Sequence, residues 1–403
     1  MSFELLFALS VLLVVSIGHV GLWIALYNRI NATGLNRKTI KRIELAIVFT
    51  CGFIPIVIVL HEIGHQGLSS VVQGIAECST NWSWITVGYG TLAAATGIAL
   101  LPFWIRDRPV FAIANDRFQV TSSEDLYPLK QSKARREILQ GIKFRTMAKL
   151  PGNQIAALQR NVKRLTFQSL PIDLIGLKIA HLSDVHLTGQ LSNVFYRLAV
   201  DWIIEQSPDM VVISGDIVDY EHALEQLKPS LEGLIAPLGM YFVLGNHDRR
   251  LADPMVVCRT LCKLGWIDLG QHDAIVQRGM TSIRILGNER PWFNRNVAHE
   301  SLNESSSSTL NDWTLGVSHS PDQFEWGVRH GCHLMLCGHT HGGQIRFPLI
   351  GPVVAPSWHG TRYASGVFMK QNTIMHVSRG LSGVHPFRWG CLPEVSVIEL
   401  GHN

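Results

Sequence analysis

Long apolar runs come first along this chain and short ones follow. Phe3 to Tyr27, Glu44 to Leu60 and Trp84 to Ile105 are nearly uncharged, and each is close to the roughly 20 residues that cross a bilayer as a helix. They predict about three transmembrane helices within residues 1–105. The first run is not read as a cleaved leader. It opens on Glu4 rather than on basic residues, is longer than the apolar part of such peptides, and is not followed by a small-x-small site.

Beyond about Leu174 the pattern shortens and alternates. Leu177 to Leu182 reads as a strand, and Asn193 to Gln206 puts Phe195, Leu198, Ala199, Trp202 and Ile203 on one helical face. Met210 to Ile213 is a buried strand. Further strands are expected at Met240–Leu244, Ser282–Leu286, Thr314–Val317, His333–Leu336, Ile374–Val377 and Glu394–Leu400. Such alternation predicts a layered α/β (α+β) domain over 174–403. Ser301 to Asn311, with its serine run, reads as a surface insertion.

With 403 residues, 47% of them apolar, and a mean hydropathy of +0.17, the chain is long enough for both parts. Charge refines the division. Arg106 to Arg164 carries thirteen Lys or Arg against five acids, whereas the whole chain is only +4. Residues 106–173 are therefore read as a basic juxtamembrane linker whose charge either meets anionic lipid headgroups or only fixes the topology. No aromatic-interleaved basic stripe accompanies the charge, so nucleic acid is not an expected partner. Arg29, Arg37, Lys38, Lys41 and Arg42 fill the first loop, while His61 to Ser83 has no Lys or Arg. By the positive-inside rule the first loop and everything after the third span face the cytoplasm. The seven cysteines form no C-x-x-C pair and are read as reduced.

Two constellations carry candidate chemistry. The first is His61-Glu62-Ile63-Gly64-His65 at the end of the second run, an H-E-x-x-H pattern that places two histidines and a glutamate as zinc ligands and base. A protease would need a third ligand, and the second and third runs hold no acid beyond Glu44, at the far end. The second constellation follows the strands. Asp184-x-His186 comes after the first, Gly215-Asp216-Ile217-Val218-Asp219 after the second and Gly245-Asn246-His247-Asp248 after the third. Ser318-His319-Ser320 and Gly338-His339-Thr340-His341 come later. Loops at strand C-termini are where open α/β sheets assemble ligands. Asp184, His186, Asp216, Asn246, His319, His339 and His341 supply oxygen and nitrogen donors without a thiolate. That set suits two divalent ions (Mn, Fe, Zn or Ni), with one carboxylate shared between them.

In order along the chain these residues resemble the calcineurin-like metallophosphoesterases, whose pattern is D-x-H, GD-x-x-D, GNH-D/E, H, GH-x-H. The tail from Gly342-Gly343-Gln344 through Ser378-Arg379-Gly380 to Pro393-Glu394-Val395 is similar to the membrane-associated bacterial branch. The resemblance implies a four-layer αββα sandwich. It also implies that Asp184, His186 and His341 hold one metal, that Asn246, His319 and His339 hold the other, and that Asp216 bridges. It further implies a dimetal phosphohydrolase in which a metal-bridging hydroxide attacks phosphorus in line. His247 is then the leaving-group acid or oxyanion stabiliser, with Asp248 fixing its tautomer, and Asp219 lies behind the ligands. The chain departs from the pattern at Asn288-Glu289-Arg290, where an acidic pair is expected. Arg249 and Arg290 are candidate phosphate contacts.

The expected activity is hydrolysis of a phosphomonoester, phosphodiester or pyrophosphate by a membrane-anchored enzyme. Its anchor favours a lipid-linked substrate, and some relatives cleave UDP-2,3-diacylglucosamine. An intramembrane zinc protease using His61, Glu62 and His65 is the alternative enzyme. A non-catalytic metal-binding scaffold is the alternative from another class.

Overall fold

The computed structural model describes residues 3–77, 82–106, 118–127, 137–295 and 312–402. The expected Ser301 to Asn311 insertion lies outside these. The chain divides into two units, Met1–Ala112 and Ile113–Asn403.

The first unit is helical: α1 (Phe3–Asn31), α2 (Arg37–Gln66), α3 (Leu68–Glu77) and α4 (Trp84–Arg106). Ser10–Asn31, Arg37–Gln66 and Trp84–Pro102 are long and apolar enough to cross a membrane. Asn36 starts α2 by accepting the Lys38 N–H at 2.9 Å, which satisfies one of the orphan donors at a helix start. Pro55 interrupts α2. Proline has no N–H, so the Cys51 carbonyl four residues back loses its helical donor. His19 of α1 replaces it, with Nε2 at 2.8 Å from that oxygen. The His19 Nδ1 in turn meets the Tyr89 hydroxyl of α4.

The second unit stacks two mixed sheets. The first has seven strands in the order β1 (Phe118–Leu126), β2 (Leu158–Phe167), β15 (Glu394–His402), β3 (Lys178–Leu182), β4 (Met210–Ser214), β5 (Met240–Val243) and β6 (Ile267–Asp268). The second runs β13 (Gly366–Lys370), β14 (Thr373–Val377), β10 (Leu334–Cys337), β9 (Asp312–Ser318), β8 (Thr281–Asn288) and β7 (Ala274–Arg278). A small hairpin, β11 (Arg346–Phe347) with β12 (Gly351–Pro352), follows β10. Neighbours β3, β4, β5 and β6 are parallel, as are β8, β9, β10 and β14. Parallel strands leave all their C-terminal ends on one side, and this is what gathers the site.

Strand alternation builds the layers. Ile179, Met210, Val212, Tyr241 and Val243 point at Ile283, Ile285, Leu315, Val317 and Leu334 of the other sheet. Ala180, Leu182, Val211, Ile213 and Phe242 point the other way, at Phe195, Ala199, Ile203, Val257 and Leu261 of the helices 193–206 and 255–263. On the far face Met335, Met375 and Val377 meet Phe324 and Trp326 of the helix 324–329. The result is helices, sheet, sheet, helix.

The segment 106–173, expected as a linker, supplies β1 and β2 to the first sheet. β2 pairs in parallel with β15, from Gln159 opposite Glu394 to Phe167 opposite His402. Its charges hid it: Lys163 and Asn161 face inward and are buried. Lys163 Nζ sits 3.2 Å from Glu394 and 2.9 Å from His376 Nε2. Arg379 shares the same carboxylate at 2.6 Å. His376 Nδ1 meets His181 Nδ1 at 2.9 Å, and His181 Nε2 meets Ser214 Oγ at 2.8 Å. Burial holds His181 down at about 3 and pushes His376 well below its usual value, so both rings are neutral.

Glu394 is thus the carboxylate shared by the buried Lys163 and the half-buried Arg379. Glu394→Gln is expected to lower the unfolding free energy by about 3–5 kcal/mol, because it leaves charge buried and unpaired. Lys163→Met, which leaves Arg379 on Glu394, should be milder. Denaturant unfolding of the two variants checks the order, and an equal or smaller loss for Glu394→Gln contradicts it.

Candidate metal centre

Each site residue stands just past a strand end. β3 leads to Asp184 and His186, β4 to Asp216 and Asp219, β5 to Asn246 and His247, β9 to His319, and β10 to His339 and His341. The turns are tight. Asp184, His186, Asp216, His339 and His341 all have positive φ, between 48° and 70°, an uncommon region for non-glycine residues that persists only where surrounding structure imposes it. Gly215 (φ 91°) makes the turn into Asp216. Gly338 is required by closeness, since a Cβ there would lie 2.3 Å from Asp184 Oδ2.

The seven expected donors come together. Asp184, His186, Asp216 and His341 form one group whose donor atoms all lie within 4.8 Å of one another, Asp216, His319 and His339 form another, and His186, Asp219 and His247 form a third. Asp216 belongs to the first two. Its Oδ2 lies 3.2 Å from His319 Nε2 and 3.6 Å from His186 Nε2. Asn246 Oδ1 is 3.2 Å from His319 Nε2, and His341 Nε2 is 3.4 Å from Asp184 Oδ1. Backbone bonds hold the carboxylates: Asp184 accepts the His339 N–H at 3.0 Å, and Asp216 Oδ1 accepts the His247 N–H at 2.7 Å. His319 is aimed by its Nδ1, 2.7 Å from the Ser214 carbonyl.

The donor set fits divalent cations on three counts. Asp216 Oδ2 and His339 Nε2 are buried with no hydrogen-bond partner, an arrangement native proteins seldom leave without a bound group. Burial would raise the Asp216 carboxyl, but the rings of His319, His247 and His186 outweigh it and hold it well below its usual range. Burial also pushes His339 and His341 well below theirs, so both are neutral imidazoles, the form that ligates metal.

His247 differs from its expected arrangement. Asp248 does not touch its ring; that carboxylate accepts the N–H groups of Ile217 (3.0 Å), Val218 (2.9 Å) and Gly245 (2.8 Å). The partner of His247 Nδ1 is Asp219, whose other oxygen takes His186 Nδ1 at 2.7 Å. One carboxylate thus orients the rings of His186 and His247 together. Burial raises Asp248 to about 7 despite its N–H bonds, whereas His186 and His247 outweigh burial and lower Asp219.

Two further neighbours went unread in the sequence. Arg250 places one guanidinium nitrogen 2.8 Å from His247 Nε2 and another 3.1 Å from Asp219. With Tyr220, His222 and Leu251 it lines a cleft beside His247. The expected phosphate contacts lie elsewhere: Arg290 bonds Asn294 at 3.1 Å and Arg249 is exposed. Trp292 packs its ring 5.2 Å from His319 and 4.7 Å from His339. Glu289, in the stretch that departs from the family pattern, accepts the Leu244 N–H at 2.7 Å and so braces the turn into Asn246.

His61, Glu62 and His65 make no comparable group among the described residues. Glu62 is buried and occupied. Its Oε1 takes the Ser83 N–H at 3.0 Å and the hydroxyls of Ser83 and Thr86, at the start of α4, and its Oε2 takes Gln66 at 2.9 Å. It caps a helix.

Adjoining groups of potential metal donors on the strand ends of a double sheet are the arrangement expected of a metallophosphoesterase, and sequence comparison agrees. The calcineurin-like phosphoesterase family model matches residues 177–343. The chain is 30% identical over 246 residues to the uncharacterized metallophosphoesterase YkuE of Bacillus subtilis, covering 57% of this chain and 81% of that one. It is 28% identical over 229 residues to the phosphodiesterase YaeI of Escherichia coli (55% and 82% covered). It is 26% identical over 281 residues to the UDP-2,3-diacylglucosamine pyrophosphatase LpxG of Chlamydia trachomatis (56% and 84% covered). The chain belongs to the calcineurin-like phosphoesterase family and is a phosphoester hydrolase.

Asp248→Ala would leave three buried N–H groups without an acceptor. A loss of roughly 1–3 kcal/mol of stability per group is expected, read by thermal unfolding. An unchanged melting temperature would show that the carboxylate is not the brace.

Proposed function

We propose that the chain is a membrane-anchored phosphohydrolase that holds two divalent cations, with Asp184, His186 and His341 on one, Asn246, His319 and His339 on the other, and Asp216 on both. The observation that carries this reading is the Asp216 carboxylate, whose Oδ2 is shared by both donor groups and has no hydrogen-bond partner. Bound there, two cations lower the pKa of water and neutralise charge on phosphoryl oxygens. The chain's own residues do the rest. Asp219 fixes the His247 ring with Nδ1 as donor. A guanidinium can only donate, so Arg250 holds His247 Nε2 as an acceptor. A phosphoryl oxygen that draws Arg250 away frees Nε2 to take up a proton and meet the leaving oxygen. Trp292 keeps water from the His319 and His339 side.

The reaction is cleavage of a phosphomonoester, phosphodiester or pyrophosphate. Three apolar helices and the relative that acts on UDP-2,3-diacylglucosamine favour a lipid-linked substrate. The Lys and Arg of the first loop favour a cytoplasmic position for the hydrolase unit. A protease at His61-Glu62-His65 is disfavoured by the capping bonds of Glu62, which leave no free base. A scaffold has no use for Arg250, which can only donate, holding His247 Nε2 as an acceptor.

Manganese-stimulated hydrolysis of bis-p-nitrophenyl phosphate should be lost in Asp216→Asn together with bound metal. In His247→Ala hydrolysis should fall by roughly 10²–10⁴ with metal content kept. Full activity in Asp216→Asn would sink the assignment. Glu62→Gln is expected to leave this hydrolysis unchanged, and its loss would return His61, Glu62 and His65 to the active site.

A further inference from the structure

The loop that carries His339 and His341 runs directly into the β11–β12 hairpin, and this hairpin is apolar where it meets solvent. Leu349 is 79% exposed at its tip, Trp358 is 52% exposed just beyond, and Phe347, Ile350 and Val354 are exposed with them. Exposed large side chains gathered like this mark an interaction surface. The patch continues. The Phe347 ring packs 5.4 Å from Trp389, Trp389 lies against Gly152, and Lys143 Nζ reaches the Val384 carbonyl at 3.5 Å. This brings in Ile142, 80% exposed, with the exposed Lys143 and Lys149.

Charge says what covers it. Neither contributing segment has an Asp or Glu: none occurs between Ile138 and Ile172, or between His341 and Pro393. Asp322, which approaches, is occupied by the Ser357 hydroxyl and the Trp358 N–H at 2.5 and 3.0 Å, and the exposed Glu137 stands just ahead of the first segment. Aromatic and branched apolar side chains flanked by lysine and arginine, with no acid inside either segment, are the chemistry of a bilayer interface of anionic headgroups.

We propose that this hairpin and the 142–150 turn form a membrane-contact face of the hydrolase unit. It seats Phe347, Leu349, Ile350 and Trp358 among lipid headgroups, with Lys143, Lys149 and Arg362 on their phosphates. His341 lies five residues before the hairpin, so the contact presents the donor groups to phosphoesters at the bilayer surface. The substrate consequence rests on the proposed phosphohydrolase reading; the contact itself does not.

The test uses the full chain in phosphatidylcholine vesicles with and without phosphatidylglycerol. A spin label is placed at Leu349→Cys in a background of Cys51→Ser, Cys78→Ser and Cys262→Ser. With phosphatidylglycerol the label should collide with oxygen more than with a water-soluble nickel chelate, and it should lose that preference in high salt or without the anionic lipid. A nickel-accessible label under all conditions overturns the proposal. So does protection that ignores lipid charge and salt, which would denote a second copy of the chain, another protein, or its own helices. Asp216→Asn should abolish hydrolysis and keep the lipid signature. Leu349→Glu should lose the signature and keep hydrolysis of soluble bis-p-nitrophenyl phosphate. The two readings therefore fail separately.

Discussion

One carboxylate organises the hydrolase unit. Asp216 sits where five strand ends converge, its Oδ1 fixed by the His247 N–H and its Oδ2 faced by three imidazoles. A buried anion without a cation is strongly disfavoured, and a ring of neutral or cationic nitrogens satisfies it only in part. The surroundings bear the strain. Positive φ angles at five of the donors, on the turns after β3, β4 and β10, are conformations no isolated turn would choose, held because parallel strands deliver those turns to the same place.

The layer beneath this centre is polar for a related reason. Between the sheets the facing side chains are apolar over most of their length, then change to Lys163, His181, Ser214, His376 and Glu394 near the site. Lysine can only donate, so His376 Nε2 accepts from it, His376 Nδ1–H donates to His181, and His181 Nε2–H donates to Ser214. Each link sets the tautomer of the next. The Ser214 carbonyl then aims His319. The buried charges thereby order the floor of the site, an effect distinct from any gain in stability.

Much of this was legible in the sequence because parallel strands are short, apolar and buried on both faces, so that a polar cluster after each one stands out. The apolar runs likewise announced α1, α2 and α4. What escaped did so for specific reasons. β2 reads LQRNVKRLTF, a charged segment whose lysine is inward only because a glutamate 231 residues away faces it. Asp248 neighbours His247 in sequence, yet the 3-10 turn at 248–250 sends its carboxylate back to the backbone of the Asp216 loop, and Asp219 takes the ring. Arg250 differs from Arg249 by one position, and only that turn decides which of them reaches inward. Trp292 carried no signal beyond being an aromatic after a strand end.

The helical unit holds a residue that composition alone would misjudge. A histidine inside an apolar helix invites thoughts of a proton carrier or a haem ligand. His19 has neither freedom: one nitrogen replaces the hydrogen bond that Pro55 withholds from Cys51, and the other receives the Tyr89 hydroxyl. Its ring is a splint, tying α2 to α1 and α4 at the point where Pro55 leaves a carbonyl without its helical donor.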